Sequence, residues 1–149
     1  VRLENLRESG LPAGGFDLTV CNPPYYSLQS GFTSEDAARR KARSEIVCTL
    51  AIVCRAAARL TRWGGAFCLV YKPERLTDLL CTLRENALEP KRLRFVSQTM
   101  EAAPSLLLLE ARRGGKPGLT IETPLVLQTP DGSPSSELER IYFRQEVPL

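Results

Sequence analysis

The stretch Phe16-Asp17-Leu18-Thr19-Val20-Cys21, followed directly by Asn22-Pro23-Pro24-Tyr25, decides the fold of this chain. Its first part, Phe16–Cys21, has the length and the β-branched content of a buried strand. The two prolines then prevent the strand from continuing, because proline has no N–H to donate to a sheet. We therefore predict a buried strand that ends abruptly at Asn22.

The four residues Asn22, Pro23, Pro24 and Tyr25 offer a specific piece of chemistry. The Asn22 carboxamide oxygen and the Pro23 carbonyl are acceptors that can converge on one planar NH2 group. Tyr25 adds a flat face on which a planar substrate can stack. These groups would hold an amide or a nucleobase amine by both hydrogens while its nitrogen attacks an electrophile. The alternative is a strand that ends in a proline turn and presents an exposed tyrosine.

The longer segment Phe16–Tyr26 resembles motif IV of the class I S-adenosylmethionine-dependent amino-methyltransferases. More narrowly, it is similar to the bacterial tRNA1(Val) adenine-37 N6-methyltransferase group. The resemblance continues through Ala42-Arg43-Ser44-Glu45, Gly64-Gly65, Pro124-Leu125, Asp131-Gly132 and Glu137 to Tyr142, nearly the whole chain. It implies an α/β fold: the C-terminal half of a Rossmann-like class I methyltransferase sheet, with antiparallel edge strands. It also implies S-adenosyl-L-methionine as cofactor, the motif as the catalytic residues and Tyr25 as a substrate contact. Tyr26 either contacts the substrate beside Tyr25 or packs beneath the motif.

The glycine-rich turn that binds the cofactor in such folds is missing. Gly14-Gly15 precede the motif strand and Gly114-Gly115 fall between two late strands, so neither pair opens a helix. Asn5 stands where the resembled family has an Asp that contacts the cofactor adenine. We therefore expect residues 1–149 to be one partial methyltransferase domain that begins after the main cofactor site. Asn5 and Asn22 are its expected cofactor contacts.

Composition indicates a folded α/β protein, with 43% hydrophobic residues. No stretch approaches the ~20 apolar residues of a membrane span, and the start lacks the features of a signal peptide. The chain has no histidine and no CxxC pair, so we expect no metal site. The cysteines lie in apolar runs, which favours buried, reduced thiols in a cytoplasmic protein. They are Cys21, Cys48, Cys54, Cys68 and Cys81.

Basic residues follow the motif, and phosphate backbones bind such groups. A first cluster of substrate contacts is expected at Arg39, Arg40, Lys41 and Arg43, and Arg55, Arg59 and Arg62 continue it along the same helix. Further groups are Lys91, Arg92 and Arg94, then Arg112, Arg113 and Lys116. Each cluster taken alone is also typical of a solvated surface. We expect RNA, most specifically tRNA, as the partner. A homodimer, in which a second copy completes the site, is left open.

The remaining elements follow from periodicity and capping. A helix is predicted from Thr33 to about Trp63, ended by Gly64-Gly65, and then a strand at Ala66–Tyr71 buried on both faces. A second helix is predicted from Pro73 to about Asn86. Pro90 separates it from a strand at Leu93–Ser97, which pairs with one at Ser105–Ala111. Strand material at 117–128 and a short helix from Ser135 complete the chain. Trp63 and Tyr71 are expected to be packing residues.

Three functions fit these features. The first is an RNA adenine N6-methyltransferase. The second is a protein glutamine N5-methyltransferase, since a glutamine amide is also a planar NH2; the basic cluster and the late strands weigh against it. The third is an inactive, truncated half-domain that binds RNA or a partner.

Overall fold

The computed structural model describes residues 10–23 and 50–143. In chain order the strands are β1 (Phe16–Cys21), β2 (Thr61–Tyr71), β3 (Leu88–Ser97), β4 (Leu106–Arg113), β5 (Thr120–Ile121) and β6 (Leu125–Val126). The α-helices are α1 (Leu50–Leu60), α2 (Leu76–Glu85) and α3 (Ser136–Phe143), and a 3-10 turn at Pro73–Arg75 precedes α2. The order β1-α1-β2-α2-β3 is that of an α/β fold.

The six strands of the described residues belong to one sheet in the order β1-β2-β4-β3-β5, with β6 also paired to β3. β1 and β2 are parallel, whereas β4 is antiparallel to β2 and to β3. The predicted α/β class and the antiparallel pairing of the strands near 93–97 and 105–111 are confirmed. This pair does not form the edge of the sheet, because β5 and β6 add to the outer side of β3.

β3 begins at Leu88, well before the predicted start at Leu93. Pro90 was expected to separate a helix from the strand, but it lies inside the strand. The register shifts between Pro90 and Arg92, which marks a bulge or irregularity. Such a position tolerates a residue that cannot donate to the ladder.

The hydrophobic core lies between the sheet and helices α1 and α2. Leu69, Leu109 and Leu93 stand side by side on β2, β4 and β3, and each is 2% exposed. The helices add buried residues to the same cluster: Val53, Cys54, Ala57, Leu79 and Leu83. One face of the sheet is therefore a well-packed platform. The other face is less buried, since Cys68 and Val70 of β2 are half-buried rather than covered as predicted.

β1 is more exposed than the sequence predicts. Phe16, Leu18 and Val20 are 36%, 53% and 71% exposed, so the expectation of a buried strand is wrong. Leu18 and Val20 pair in register with Ala66 and Cys68, on the face of the sheet away from α1 and α2. Within residues 10–23 and 50–143, β2 is the only strand that pairs with β1.

The junction between α1 and β2 also differs from the prediction of a helix reaching Trp63. α1 ends at Leu60, and the next residue, Thr61, pairs with Phe16 of β1. Thr61 is fully buried, and its Oγ1 lies 2.7 Å from Oγ1 of Thr19. A residue held in this way belongs to the sheet, so the helix must stop before it.

Gly64 and Gly65, the predicted helix end, lie within β2. The register with β1 jumps from Phe16–Thr61 to Leu18–Ala66, so β2 carries an irregular segment between these pairs. Gly64 has φ +77°, a conformation that favours glycine. A Cβ on Gly65 would lie 2.9 Å from the Asp17 carbonyl oxygen. The two glycines therefore allow β2 to bulge while it stays close to β1.

The segment after β4 covers the outer side of β3. β5 pairs with residues 92–93 and β6 with residues 96–97. Helix α3 is tied to the sheet by Glu137, whose carboxylate lies 2.7 Å from Nη2 of Arg94. At the start of α3, Oγ of Ser135 accepts a hydrogen bond of 3.1 Å from the Leu138 amide. The predicted late strands and short terminal helix are confirmed.

The cysteines of the described residues are free thiols. Cys54 is buried, and burial raises its pKa to about 12, so this thiol keeps its proton at neutral pH. Cys21 and Cys68 are partly buried. Cys81, in α2, is exposed, so the prediction that all the thiols are buried is wrong there. Cys48 lies outside the described residues.

Candidate active site

The carboxyl ends of β1 and β2 form the edge of the sheet at which Asn22 and Pro23 lie. β1 and β2 run in the same direction, and Cys21, the last residue of β1, pairs with Leu69. Asn22 follows directly and is exposed, whereas Pro23 is buried. Ligands of open α/β sheets bind in the crevice outside the carboxyl ends of the strands. The structure therefore places the Asn22 residue at an edge suited to ligand binding.

Among the described residues, the end of β1 is anchored from the face of the sheet that carries α1 and α2. Thr19 and Cys21 pair in register with Phe67 and Leu69, which belong to the core, and Cys21 packs against that core. The Thr19–Thr61 hydroxyl pair adds a polar contact between the two strands. These contacts fix the register of β1 on β2 and, with it, the position of Asn22.

The contrast between Asn22 and Pro23 bears on their chemistry. A buried proline ring, with φ held near −65°, fixes the path of the chain as it leaves the strand. The exposed Asn22 next to it can offer its carboxamide oxygen to a ligand. Two acceptor oxygens on adjacent residues of a fixed backbone suit a planar NH2 group, which has two hydrogens to donate.

The end of β2 brings residues to this edge that the sequence did not predict as site residues. Tyr71 packs against the core, as predicted, and burial is the main cause that raises the pKa of its phenol. Lys72 follows it, and its Nζ donates to the Ser105 carbonyl at 3.3 Å. β1 and β2 are parallel neighbours, so their carboxyl ends lie at the same edge of the sheet. Lys72 directly follows β2 there, as Asn22 follows β1. No residue near Lys72 in the sequence indicates this position. Only the expected parallel pairing of the two strands could have predicted it.

The other predicted site residues lie outside the described residues. They are the cofactor contact Asn5, the motif residues Pro24, Tyr25 and Tyr26, and the basic cluster Arg39, Arg40, Lys41 and Arg43. Asn22 and Pro23 are therefore the predicted site residues whose placement the structure gives.

In the described part of the chain, the arginines of the two later basic clusters form ion pairs, with the exception of Arg113. Arg92 lies 2.7 Å from Glu110 and 3.1 Å from Glu122, and Glu110 also lies 3.0 Å from Arg112. Arg94 is paired with Glu137, as described above. These arginines hold β3, β4 and the late segment together. Arg113 differs, since no carboxylate of the described residues lies within 4.0 Å of its guanidinium.

The amino ends of β1 and β2 carry a different set of residues. Asp17 is exposed and ion-paired with Arg62, which lowers the pKa of its carboxyl. Arg62 itself belongs to β2 and not, as predicted, to the preceding helix. Trp63 was expected to be a packing residue, but it is 67% exposed. It belongs to the irregular start of β2, which turns its indole away from the core.

Comparison with solved structures identifies the architecture. A predicted O-methyltransferase from Agrobacterium tumefaciens matches 95% of this chain with a TM-score of 0.71 and 17% identity. A Thermus thermophilus protein assigned as a DNA modification methylase, solved with S-adenosyl-L-methionine, matches 93% with a TM-score of 0.53 and 16% identity. The chain has the methyltransferase fold. No family model matches the sequence, and no curated protein matches it significantly.

This chain spans 57% of the Agrobacterium methyltransferase and 55% of the Thermus one. In a methyltransferase fold the edge that carries Asn22 is the natural place for ligands, by the same crevice rule. None of the described helices is long and apolar enough to cross a membrane. Within residues 10–23 and 50–143, no group of three or more metal-ligating side chains comes together.

Proposed function

We propose that this chain is part of an S-adenosylmethionine-dependent methyltransferase that methylates N6 of an adenine in RNA, with tRNA as the substrate. The observation that carries the proposal is the position of Asn22-Pro23, directly after a strand at the carboxyl edge of a methyltransferase-type sheet. An exposed asparagine beside a buried proline at that edge suits capture of a planar amine.

The chemistry of the amine explains why acceptors are needed. The lone pair of adenine N6 is delocalised into the ring, which makes this nitrogen a poor nucleophile. Asn22 Oδ1 and the Pro23 carbonyl would bind its two hydrogens and favour a pyramidal nitrogen with a directed lone pair. These hydrogen bonds strengthen as positive charge develops on the nitrogen, so they stabilise the transition state more than the ground state. Orientation of the amine supplies much of the remainder.

S-adenosyl-L-methionine, when bound, would supply an electrophilic methyl group. Two contacts with this cofactor are predicted in the chain. Asn22 lies at the carboxyl edge of the sheet, and Asn5 is outside the described residues. No histidine or other dedicated base is required, since the methylated nitrogen is cationic and acidic and releases its proton afterwards. The chain in fact contains no histidine.

The choice of a nucleic-acid substrate rests on the sequence that follows β1, on the nature of an anticodon loop and on one protein of similar fold. A base must leave its stack to reach the motif, and stacking on Tyr25 would offset part of that cost, at ~1–3 kcal/mol per base. An anticodon loop already presents unstacked bases. The basic cluster that follows the motif suits a phosphate backbone, and a protein of similar fold is assigned as a DNA modification methylase. A glutamine N5-methyltransferase would use the same acceptors without needing these basic residues.

We further propose that residues 1–149 form a partial methyltransferase domain. The sequence has no glycine-rich turn in the context that a nucleoside requires, and the chain spans little more than half of the similar structures. The rest of the cofactor site would then come from another segment or from a second copy in a homodimer. This arrangement makes cofactor binding the first measurement.

The first experiment is therefore a calorimetric titration of S-adenosyl-L-methionine into the folded 149-residue chain. Micromolar binding would support a site completed within the chain or its oligomer. A folded chain that does not bind would mean that the cofactor half is supplied elsewhere, and transfer must then be assayed in a longer product of the same reading frame.

The decisive experiment measures methyl transfer from labelled S-adenosyl-L-methionine to tRNA lacking the modification, beside DNA and a release factor. In the complete enzyme, Asn22→Ala should lower turnover by ~10²–10³-fold, the magnitude seen when one preorganised hydrogen-bonding group is removed. Asn86→Ala is a matched control, because Asn86 ends α2 and donates to the Thr82 carbonyl, away from the carboxyl edge. Equal turnover by both variants would refute the amine-binding role, and methylation of the release factor alone would favour the glutamine substrate.

A further inference from the structure

Trp63 is the centre of a group of residues at the amino ends of β1 and β2. Its exposed indole lies directly against Gly114, at the turn after β4. A Cβ on Gly114 would lie 2.2 Å from Cε2 and Cζ2 of the ring, so only glycine permits this contact. Gly114 also has φ +67°, which independently favours glycine. The ring is thus supported by the backbone on one side while two thirds of the residue, 67%, remains exposed.

Arg113 brings positive charge to the same ring. Its guanidinium carbon lies 5.9 Å from the centroid of the Trp63 indole, within the range of a cation–π contact. One of its nitrogens, Nη1, donates to the Thr61 carbonyl at 2.6 Å, which fixes the side chain beside the ring. A guanidinium has five N–H donors, so donors remain after this hydrogen bond.

The neighbouring arginines show why Arg113 stands out. Arg62 is bound by Asp17 and Arg112 by Glu110, whereas the described part of the chain places no carboxylate within 4.0 Å of Arg113. Gly14 lies alongside: a Cβ there would be 3.8 Å from Nη1 of Arg113, so a side chain at this position would contact the guanidinium. Within the described residues, an exposed ring therefore lies next to a cation that no carboxylate neutralises.

We propose that Trp63, Arg113 and Gly114, the Trp63 platform, bind single-stranded nucleic acid. An unpaired base would stack on the indole, and an adjacent phosphate would accept hydrogen bonds from Arg113. A duplex is a poor ligand, since its bases are already stacked on one another. The combination of aromatic face and cation is the one that sequence-tolerant single-strand binding uses, because every base has a π-face.

The Trp63 platform is separate from the predicted active site. β1 spans the distance between them, and the six steps from Phe16 to Asn22 correspond to about 20 Å at ~3.3 Å per residue. A nucleic-acid strand bound at both the Trp63 platform and the active site would lie along β1 and β2. The inference rests on the proposed function only in expecting a nucleic-acid ligand, and its test contains no methyl donor, so the two can fail separately.

Trp63 is the only tryptophan of the chain, which makes its fluorescence a reporter for this site alone. Titration with an eight-nucleotide oligoadenylate at low salt should quench the emission in a saturable way. Two controls should quench the emission far less. One is inorganic polyphosphate at the same total phosphate concentration, and the other is a duplex of matched length. Equal quenching by polyphosphate would overturn base stacking, and no quenching at all would overturn binding at this site.

Affinities of variants are compared by anisotropy of a labelled oligoadenylate. Trp63→Ala should weaken binding roughly 5- to 150-fold, the range for one stacked base. Tyr142→Ala is the matched control, because Tyr142 is a 73% exposed aromatic residue on α3. Arg113→Gln should lower the slope of log affinity against log salt by ~0.7, the contribution of one phosphate contact on a single strand. Arg140→Gln, an exposed arginine of α3, should leave the slope unchanged.

Circular dichroism should show that each of these variants keeps the secondary structure of the parent chain, since the four substituted side chains lie at or near the surface. If Trp63→Ala and Tyr142→Ala have the same effect, the nucleic acid binds by general charge and the Trp63 platform is not its site. If Arg113→Gln leaves the salt slope of the parent chain, the phosphate contact is wrong.

Discussion

The Thr19–Thr61 hydroxyl pair joins β1 to β2, and its removal should affect stability in an asymmetric way. Thr61 is 0% exposed and Thr19 only partly buried, with their Oγ1 atoms 2.7 Å apart. Thr19→Val leaves the fully buried Thr61 hydroxyl without its partner, which costs about 1–3 kcal/mol. Thr61→Val leaves the Thr19 hydroxyl, which water can reach, so we expect only ~0.5–1.5 kcal/mol.

The double variant tests the pair directly. Thr19→Val/Thr61→Val removes both hydroxyls and leaves no buried donor unsatisfied. Its loss of stability should therefore be smaller than the sum of the single losses by about 1 kcal/mol, the coupling expected of residues in contact. Valine has nearly the shape of threonine and suits a strand, so the packing of β1 on β2 should persist.

Urea unfolding followed by far-ultraviolet circular dichroism measures these differences. With a slope of ~2 kcal/mol per molar urea, a loss of ~2 kcal/mol in Thr19→Val lowers the midpoint by about 1 M. Strictly additive losses would refute the direct hydrogen bond. A larger loss in Thr61→Val than in Thr19→Val would refute the assignment of the more buried hydroxyl.

Three further predictions concern the core, one thiol and α3. Leu109→Ala should lower the free energy of unfolding by about 2–5 kcal/mol, and Leu108→Ala by much less, because Leu109 is 2% exposed and its neighbour half-buried; denaturant unfolding compares them. Between pH 9 and 12 the folded chain should lose stability, since Cys54 keeps its proton with a pKa of about 12 while the unfolded thiol ionises near 9.0. In Cys54→Ala the denaturant midpoint of unfolding should therefore fall less steeply with pH across this range. Glu137→Gln should speed amide hydrogen exchange in α3 by breaking its ion pair with Arg94, with little change in β2.

Each of these has a contrary result. Similar losses at positions 108 and 109 would mean that the faces of β4 are assigned wrongly. An unchanged alkaline slope in Cys54→Ala would mean that other groups cause the loss above pH 9. Unchanged exchange in α3 would mean that its cap and its contacts with β6, rather than the ion pair, hold the helix.

The elements that the sequence predicted well are those with a strong local signal. Pro73 marks the turn before α2, and the apolar run at 106–109 marks a strand, of which Leu107 and Leu109 enter the core. The junction at 61–65 could not be predicted in this way. Its glycines resemble a helix end, but the hydroxyl contact of Thr61 with a distant strand and the bulge that follows are tertiary features.

The candidate site was predicted in part for a similar reason. Asn22 and Pro23 stand out because two consecutive prolines interrupt a strand pattern, which is a local signal. Lys72 has no local signal, and only the parallel pairing of β1 with β2 brings it to the same edge. The burial of β1 was predicted wrongly because burial depends on what packs against a strand, and the sequence of the strand alone does not contain that.

The two sides of the sheet differ in what they allow between molecules. On one side β5 and β6 occupy the outer edge of β3, so that edge has no row of hydrogen-bonding groups left for another chain at those positions. On the other side, within the described residues, β1 pairs with β2 alone. In the proposed partial domain, strands supplied by another segment would add beside β1, because β5 is too short to template a long strand. Joining the two parts of that domain would therefore extend the sheet along β1 rather than along β3.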